Sequence, residues 1–202
     1  MSYRDLPDID HQILESVIEE TSKSGIGKVS TRNIAAACHI SDFTIFQHFN
    51  TKENLLASAY HYIENQVMAI FQHFAPGEDM KEAYFQMMDF LVDNPKYVNY
   101  LRAYESSLPF TYSNSVPKNP HYVELAKSYV RDPEILAMPD DVLVNLFYFI
   151  DHASIYWADC ICKGQMKYDE MGKALIIKTV FGYIHYYNII HPQSMALPKD
   201  KK

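Results

Sequence analysis

Residues 30–56, STRNIAAACHISDFTIFQHFNTKENLL, constrain the fold more than any other stretch of the chain. Their apolar and capping residues have the spacing of two short helices joined by a tight turn, with a third helix following at once. Ser30 is placed to cap the first helix, on which Ile34, Ala35 and Cys38 share an apolar side. His39-Ile40-Ser41 makes the turn, with Ile40 as a plug between the helices. Ser41 is a second N-cap, and the helix it opens carries Ile45, Phe46 and Phe49 on its apolar side; Asn50-Thr51 ends that helix and caps the next. A short second helix, exposed along one side, is the part of a helix-turn-helix that enters a DNA major groove.

The same residues resemble the TetR family of bacterial transcriptional regulators. The resemblance is carried without gaps by Ile34-Ala35, His39, Ile40-Ser41, Thr44-Ile45-Phe46, His48-Phe49, Thr51-Lys52-Glu53 and Leu55-Leu56. It covers about the first quarter of the chain in detail; beyond that the helical layout agrees. Three positions depart from the family pattern. His39 stands at the turn glycine and must accept a left-handed backbone. Phe43 replaces a small residue at the start of the recognition helix. Phe46 replaces a tyrosine whose hydroxyl commonly bonds a DNA phosphate.

The rest of the chain reads as helix after helix. The stripe Ile13, Leu14, Val17 and Ile18 predicts a first helix over residues 9–24, ended by Gly25-Ile26-Gly27. A long fourth helix runs from Lys52 to about residue 74, stopped by Pro76-Gly77. Helices over 80–92, 97–106 and 120–130, a Pro-, Ser- and Asn-rich loop over 107–119, and long helices over 139–163 and 168–188 complete the pattern. No strand-like alternation occurs, so the fold class is all-α. An N-terminal three-helix DNA-binding domain is expected over residues 1–50, and a C-terminal helical ligand-binding and dimerisation domain over 51–202.

Bulk properties fit this reading and temper it. Hydrophobic residues make up 48% of the chain and Gly is scarce, as suits a helical globular protein. The first residues, MSYRDLPDIDHQ, are polar and acidic, so no secretory signal is expected. The longest apolar stretch, 142–150, falls short of the roughly 20 residues a membrane helix needs. Three cysteines make no disulfide framework, and a cytoplasmic location is expected. The net charge is −7, and five basic residues face eight acidic ones within 1–60. Nonspecific DNA binding should therefore be weak and readily lost with salt. Specific binding survives, because a dimer on two half-sites needs few contacts per subunit.

On the recognition helix, Asp42, Phe43, Thr44, Gln47 and His48 are left for DNA. Gln47 suits adenine and Phe43 a thymine methyl, while Thr44 and His48 match family positions that commonly touch phosphate. Each is equally readable as a solvated surface residue. Lys52 opposes the dipole of the helix it starts, a cost of a few tenths of a kcal/mol that a shared phosphate would offset. Arg32 and Arg4 are weaker candidates of the same kind.

Sixteen Tyr and eleven Phe suit aromatic walls around a flat or greasy ligand. Tyr60, Tyr84, Tyr104, Tyr148, Asp151 and Tyr156 are the candidate lining residues, although an ordinary core or surface role is the better reading for any single tyrosine. The apolar series Leu143, Leu146, Phe147, Ile150, Ser154, Trp157 and Ile161, with Leu175, Ile176, Thr179, Phe181, Gly182 and Tyr186, fits either a monomer core or a partner subunit. The family resemblance implies an intersubunit four-helix bundle. No nucleophile–base pair and no phosphate loop occurs, so an enzyme is not expected, nor is a metal or other cofactor.

The expectation is a homodimeric regulator that binds double-stranded operator DNA and is released as a repressor by a small apolar or aromatic effector. The alternative is a TetR-like ligand- or protein-binding module with little or no DNA binding.

Overall fold

The computed structural model describes residues 8–73, 80–107, 124 and 133–182. All regular structure among them is helical. The expected loop beyond residue 107, most of the helix at 120–130, Arg4, Tyr186 and the end of the last helix lie outside the described residues. The chain divides into two compact units, the first holding residues 8–73 and 80–107, the second 133–182.

In the first unit, α1 (Asp8–Ser24) is followed by a 3-10 turn (Ile26–Lys28), α2 (Thr31–Ala37), α3 (Asp42–Phe49), α4 (Lys52–Phe71), α5 (Met80–Asp93) and α6 (Pro95–Glu105). The expected stripe of α1 is buried, with Thr21 extending it by one turn. This stripe serves three neighbours, because α1 packs against α2, α4 and α6. Helices α4, α5 and α6 pack on one another and α3 packs on α4, so the segment of α2 and α3 and the long fourth helix share one core. Tyr100 is fully buried in that core, and its hydroxyl donates to the Leu56 carbonyl oxygen at 2.7 Å. The bond satisfies a polar group that would otherwise cost on the order of 1–3 kcal/mol to bury.

In the second unit, α7 (Pro133–Leu136) precedes α8 (Asp140–Cys162) and α9 (Glu170–Val180), and α8 and α9 pack together. The Trp157 indole N–H donates to Thr179 Oγ1 at 3.0 Å across that pair. The one acid deep on α8, Asp159, is matched by Lys163 one turn later at 2.7 Å. A buried carboxylate is tolerable when it is paired in this way. Of the apolar series expected on α8, Leu143, Phe147 and Ser154 are buried, while Leu146, Ile150, Trp157 and Ile161 are half-buried. A second apolar series, Val142, Phe149 and Tyr156, stays exposed at intervals of seven residues. Met171 and Leu175 are exposed on α9.

None of the helices among the described residues is long and apolar enough to cross a membrane.

Candidate functional site

The helix-turn-helix is built by local chemistry that the sequence largely displays. Helix α2 ends in a Schellman motif: the Ile40 N–H bonds the Ala35 carbonyl at 2.9 Å and the His39 N–H bonds that of Ala36 at 3.3 Å. This geometry requires a left-handed residue between them, and His39 supplies it with φ 56°. Ser41 Oγ accepts the Thr44 N–H at 3.2 Å and so caps α3. Thr51 Oγ1 accepts the Asn54 N–H at 3.0 Å and caps α4, after Asn50 turns the chain with φ 62°. The expected Ser30 cap differs. Its side chain makes no cap bond; instead, Glu20 of α1 accepts the Ser30 N–H at 3.3 Å and the Asn33 side-chain amide at 2.9 Å. A carboxylate from another helix thus takes the backbone N–H of the N-cap residue at the start of α2, the bond that a capping-box Glu makes from within the helix.

Ile45 and Phe49 anchor α3 in the core, but Phe46 does not join them. It is 45% exposed, because at about 100° per residue it lies well around the helix from the two anchors. The apolar side of α3 is therefore narrower than expected, and Phe46 stands outside with Phe43, which is 68% exposed. Gln47 is exposed as well. Phe46 is the surface residue on α3 that reading by residue type alone assigns to the core; helical angle is the signal that corrects it.

The remaining candidates are spread around this helix. Thr44 is half-buried, with its hydroxyl 2.9 Å from that of Ser41. Asp42 is half-buried in the first turn of α3. His48 lies in the last turn, where its Nδ1 is 2.5 Å from Asp10 Oδ1 of α1. Lys52 is half-buried in the first turn of α4, and Arg32 is exposed in the first turn of α2.

The first unit also holds a polar junction that the sequence did not reveal. Glu15 of α1 accepts hydrogen bonds from Tyr62 of α4 at 2.8 Å, and from Tyr97 at 2.5 Å and Lys96 at 2.7 Å, both on α6. Tyr62 has one hydroxyl hydrogen, given to Glu15, so it accepts from His11 Nε2 at 2.8 Å. Burial by itself would raise the Glu15 carboxyl, but the donors Lys96, Tyr97 and Tyr62 together bring it below its ordinary value. The same burial, with Glu15 alongside, pushes Tyr97 up to about 12.

The candidate ligand residues fall in both units. Tyr60, Tyr84 and Tyr104 are buried in the first, where the rings of Tyr60 and Tyr104 lie 5.0 Å apart. Tyr148 is buried and Asp151 half-buried in the second, while Tyr156 is 48% exposed beside Trp157. A groove of about 520 Å³ on the first unit is lined by Glu19, Glu20, Lys23, Lys28, Ser16, Ser24, Asn33 and Ala37, and contains none of these six.

Comparison with known proteins agrees with the geometry of the head. Residues 13–59 match the family of bacterial regulatory proteins described as the tetR family. No curated protein matches the chain. Among solved structures, a TetR family transcription regulator from Marinobacter aquaeolei VT8 superposes with a TM-score of 0.67 at 18% identity, covering 86% of this chain and 94% of that one. A putative tetR family regulator from Shewanella sp. PV-4 gives 0.65 at 18% identity, with 88% and 98% covered. A TetR-family regulator from Haemophilus influenzae RD gives 0.61 at 22% identity, with 86% and 94% covered. The chain thus carries a TetR-family N-terminal domain and has the fold of the TetR-family transcription regulators.

Proposed function

We propose that this chain is a ligand-responsive, DNA-binding transcriptional regulator. Residues 1–50 would form the DNA-binding head, and residues 51–202 the effector-binding and dimerisation region. The observation that carries the reading is α3, anchored by Ile45 and Phe49, capped by Ser41, and open along a side that bears Phe43, Gln47 and His48. In this reading Gln47 and Phe43 meet base edges, with Asp42 beside them. Thr44, His48, Arg32 and Lys52 meet the backbone, Lys52 sharing its phosphate with the start of α4.

The active form is proposed to be a cytoplasmic homodimer, since a helix-turn-helix needs two-fold symmetry to read a palindrome. The exposed stripe Val142, Phe149 and Tyr156, with Met171 and Leu175, supports such an interface, because exposed apolar surface of this kind favours a partner. A small apolar or aromatic effector is proposed to meet Tyr60, Tyr84, Tyr104, Tyr148, Asp151 or Tyr156. It would shift the population toward a form that releases operator, giving repression relieved by ligand.

A second reading is favoured by specific observations. The head is acidic, and two phenylalanines stand exposed on α3. These fit a TetR-like module that binds ligand or protein and has little affinity for DNA.

Fluorescence anisotropy separates the two. The probes are the DNA upstream of the chain's own coding region and fragments selected from random sequence, each at several salt concentrations against scrambled controls. Selective, salt-sensitive binding that weakens in Lys52→Ala supports the regulator. Equal binding to scrambled DNA at low salt, with nothing selected, supports the second reading.

A further inference from the structure

We propose that Asp10 is a positioning residue for DNA binding, holding His48 so that operator binding takes up a proton at the His48 imidazole. The inference rests on the DNA-binding reading above and adds a proton to it.

The geometry begins with Asp10. It lies in the first turn of α1, where unpaired backbone N–H groups favour an anion. Its side chain is 16% exposed and that of His48 29%, with Asp10 Oδ1 against His48 Nδ1 at 2.5 Å. A carboxylate can only accept, so Nδ1 carries the hydrogen in this pair. Nε2 alone then decides what the ring offers. In the neutral ring Nε2 is a bare lone pair, which a phosphate oxygen repels. In the imidazolium it is an N–H, which a phosphate oxygen accepts strongly.

The ring can therefore keep Asp10 and bond phosphate only when it is charged. The bound arrangement reads carboxylate, imidazolium, phosphate, with the cation between two anions. The last turn of α3 adds to this, since the helix C-terminus favours positive charge. The other titratable and charged groups on the neighbouring turns are Asp8 and His11 of α1, Arg32 of α2, His39 of the turn, Asp42 of α3, and Lys52 and Glu53 of α4. Among the described residues, Asp10 is the carboxylate within ion-pair reach of the imidazole. Asp10 also gives the acidic head a way to gain positive charge when DNA arrives.

The test uses the full-length chain and a DNA fragment it selects, with affinity measured from pH 6.0 to 8.5 at fixed ionic strength. Calorimetry in two buffers of different ionisation enthalpy counts the protons taken up. Wild type should lose roughly tenfold or more in association constant per subunit across this range, as uptake of one proton per subunit on binding requires. His48→Gln, which keeps a donor but cannot titrate, should give a flat profile. Asp10→Asn should move the fall toward lower pH, since an opposing charge is what favours the charged ring. Thermal melts check that each variant is folded.

A wild type that binds selectively with a flat profile and no proton uptake overturns this inference alone. So does an Asp10→Asn variant with the wild-type profile, because Asp10 would then be merely structural. A wild type that selects no DNA at any pH overturns the DNA-binding reading and this inference with it.

Discussion

Lys96 Nζ lies 2.7 Å from Glu15 Oε2, closing α6 onto α1 across 81 residues of sequence. Tyr97 and Tyr62 bring two further hydrogens to the same carboxylate, from α6 and α4. Three helices of the first unit thus meet at one anion. An aliphatic residue at position 15 could pack there but could not hold the helices in register. Glu15 is also where a movement of α4 or α6 would be felt by α1, and so by the helix-turn-helix packed on it.

Glu15→Gln should therefore lower stability by about 1–3 kcal/mol at neutral pH, and Lys96→Met by less than about 1 kcal/mol, because Lys96 is the more exposed partner. The pH dependence has a definite sign. The Glu15 carboxyl is lowered in the fold, so its contribution is complete above the ordinary value of 4.5 and is lost as pH falls through the lower folded value. Urea melts of wild type and Glu15→Gln should differ at pH 7 and differ by less at pH 3. A gap of equal size at both would show that the ionised carboxylate is not what matters.

What could be read in advance follows the range of the interactions. The stripe on α1, the caps at Ser41 and Thr51, and the left-handed His39 depend on residues within a turn of one another, and the structure has them all. The Glu15 junction and the Asp10–His48 pair join residues far apart in sequence, and nothing in local spacing pairs them. Ser30 illustrates the boundary between the two: the residue type is right for a cap, yet a carboxylate ten residues away takes its backbone N–H. Phe46 fails for another reason. Apolar character places a residue inside only when its helical angle agrees, and here the angle turns it outward.

His39→Gly should raise stability by up to about 1 kcal/mol. A side chain in the left-handed region costs about 1–2 kcal/mol, partly offset because glycine loses more backbone entropy on folding. The turn bonds to Ala35 and Ala36 are backbone bonds and persist in the variant. A shift of the chemical-denaturation midpoint upward, with unchanged slope, is the expected result. A downward shift would mean that the imidazole makes a contact worth more than the strain it brings.

Glu105→Gln should stabilise the fold more at pH 8 than at pH 5. Burial pushes the Glu105 carboxyl up to about 7; Arg102 pulls against this and Glu64 adds to it. A raised acid holds its proton longer in the folded state than in the unfolded one. Its stabilising effect is full below the ordinary value of 4.5 and is lost as pH rises to about 7, beyond which the carboxylate is buried at a cost. The amide mimics the neutral acid at every pH, so the variant should gain about 1–3 kcal/mol at pH 8 and little at pH 5. Melting temperatures at the two pH values, at one protein concentration, measure the difference. An equal gain at both would remove ionisation of Glu105 from the account.

Gly172→Ala should destabilise the second unit. Gly172 lies in the first turn of α9, where its N–H is accepted by the capping Asp169 side chain at 3.0 Å. A methyl group there would sit 2.1 Å from the Lys167 carbonyl oxygen, with the carbonyl carbon at 3.2 Å. Both obstacles are backbone, so relief requires moving the 163–169 turn or the start of α9, which alanine's better helix propensity would not repay. Overpacking of this kind costs about 1–3 kcal/mol. The substitution is far in sequence from the head, so it also tests cooperativity between the units. A lower melting temperature with one transition means that they unfold together, and a new early transition means that the second unit melts alone. An unchanged melt would mean that the turn yields freely and that the close approach of Gly172 is incidental.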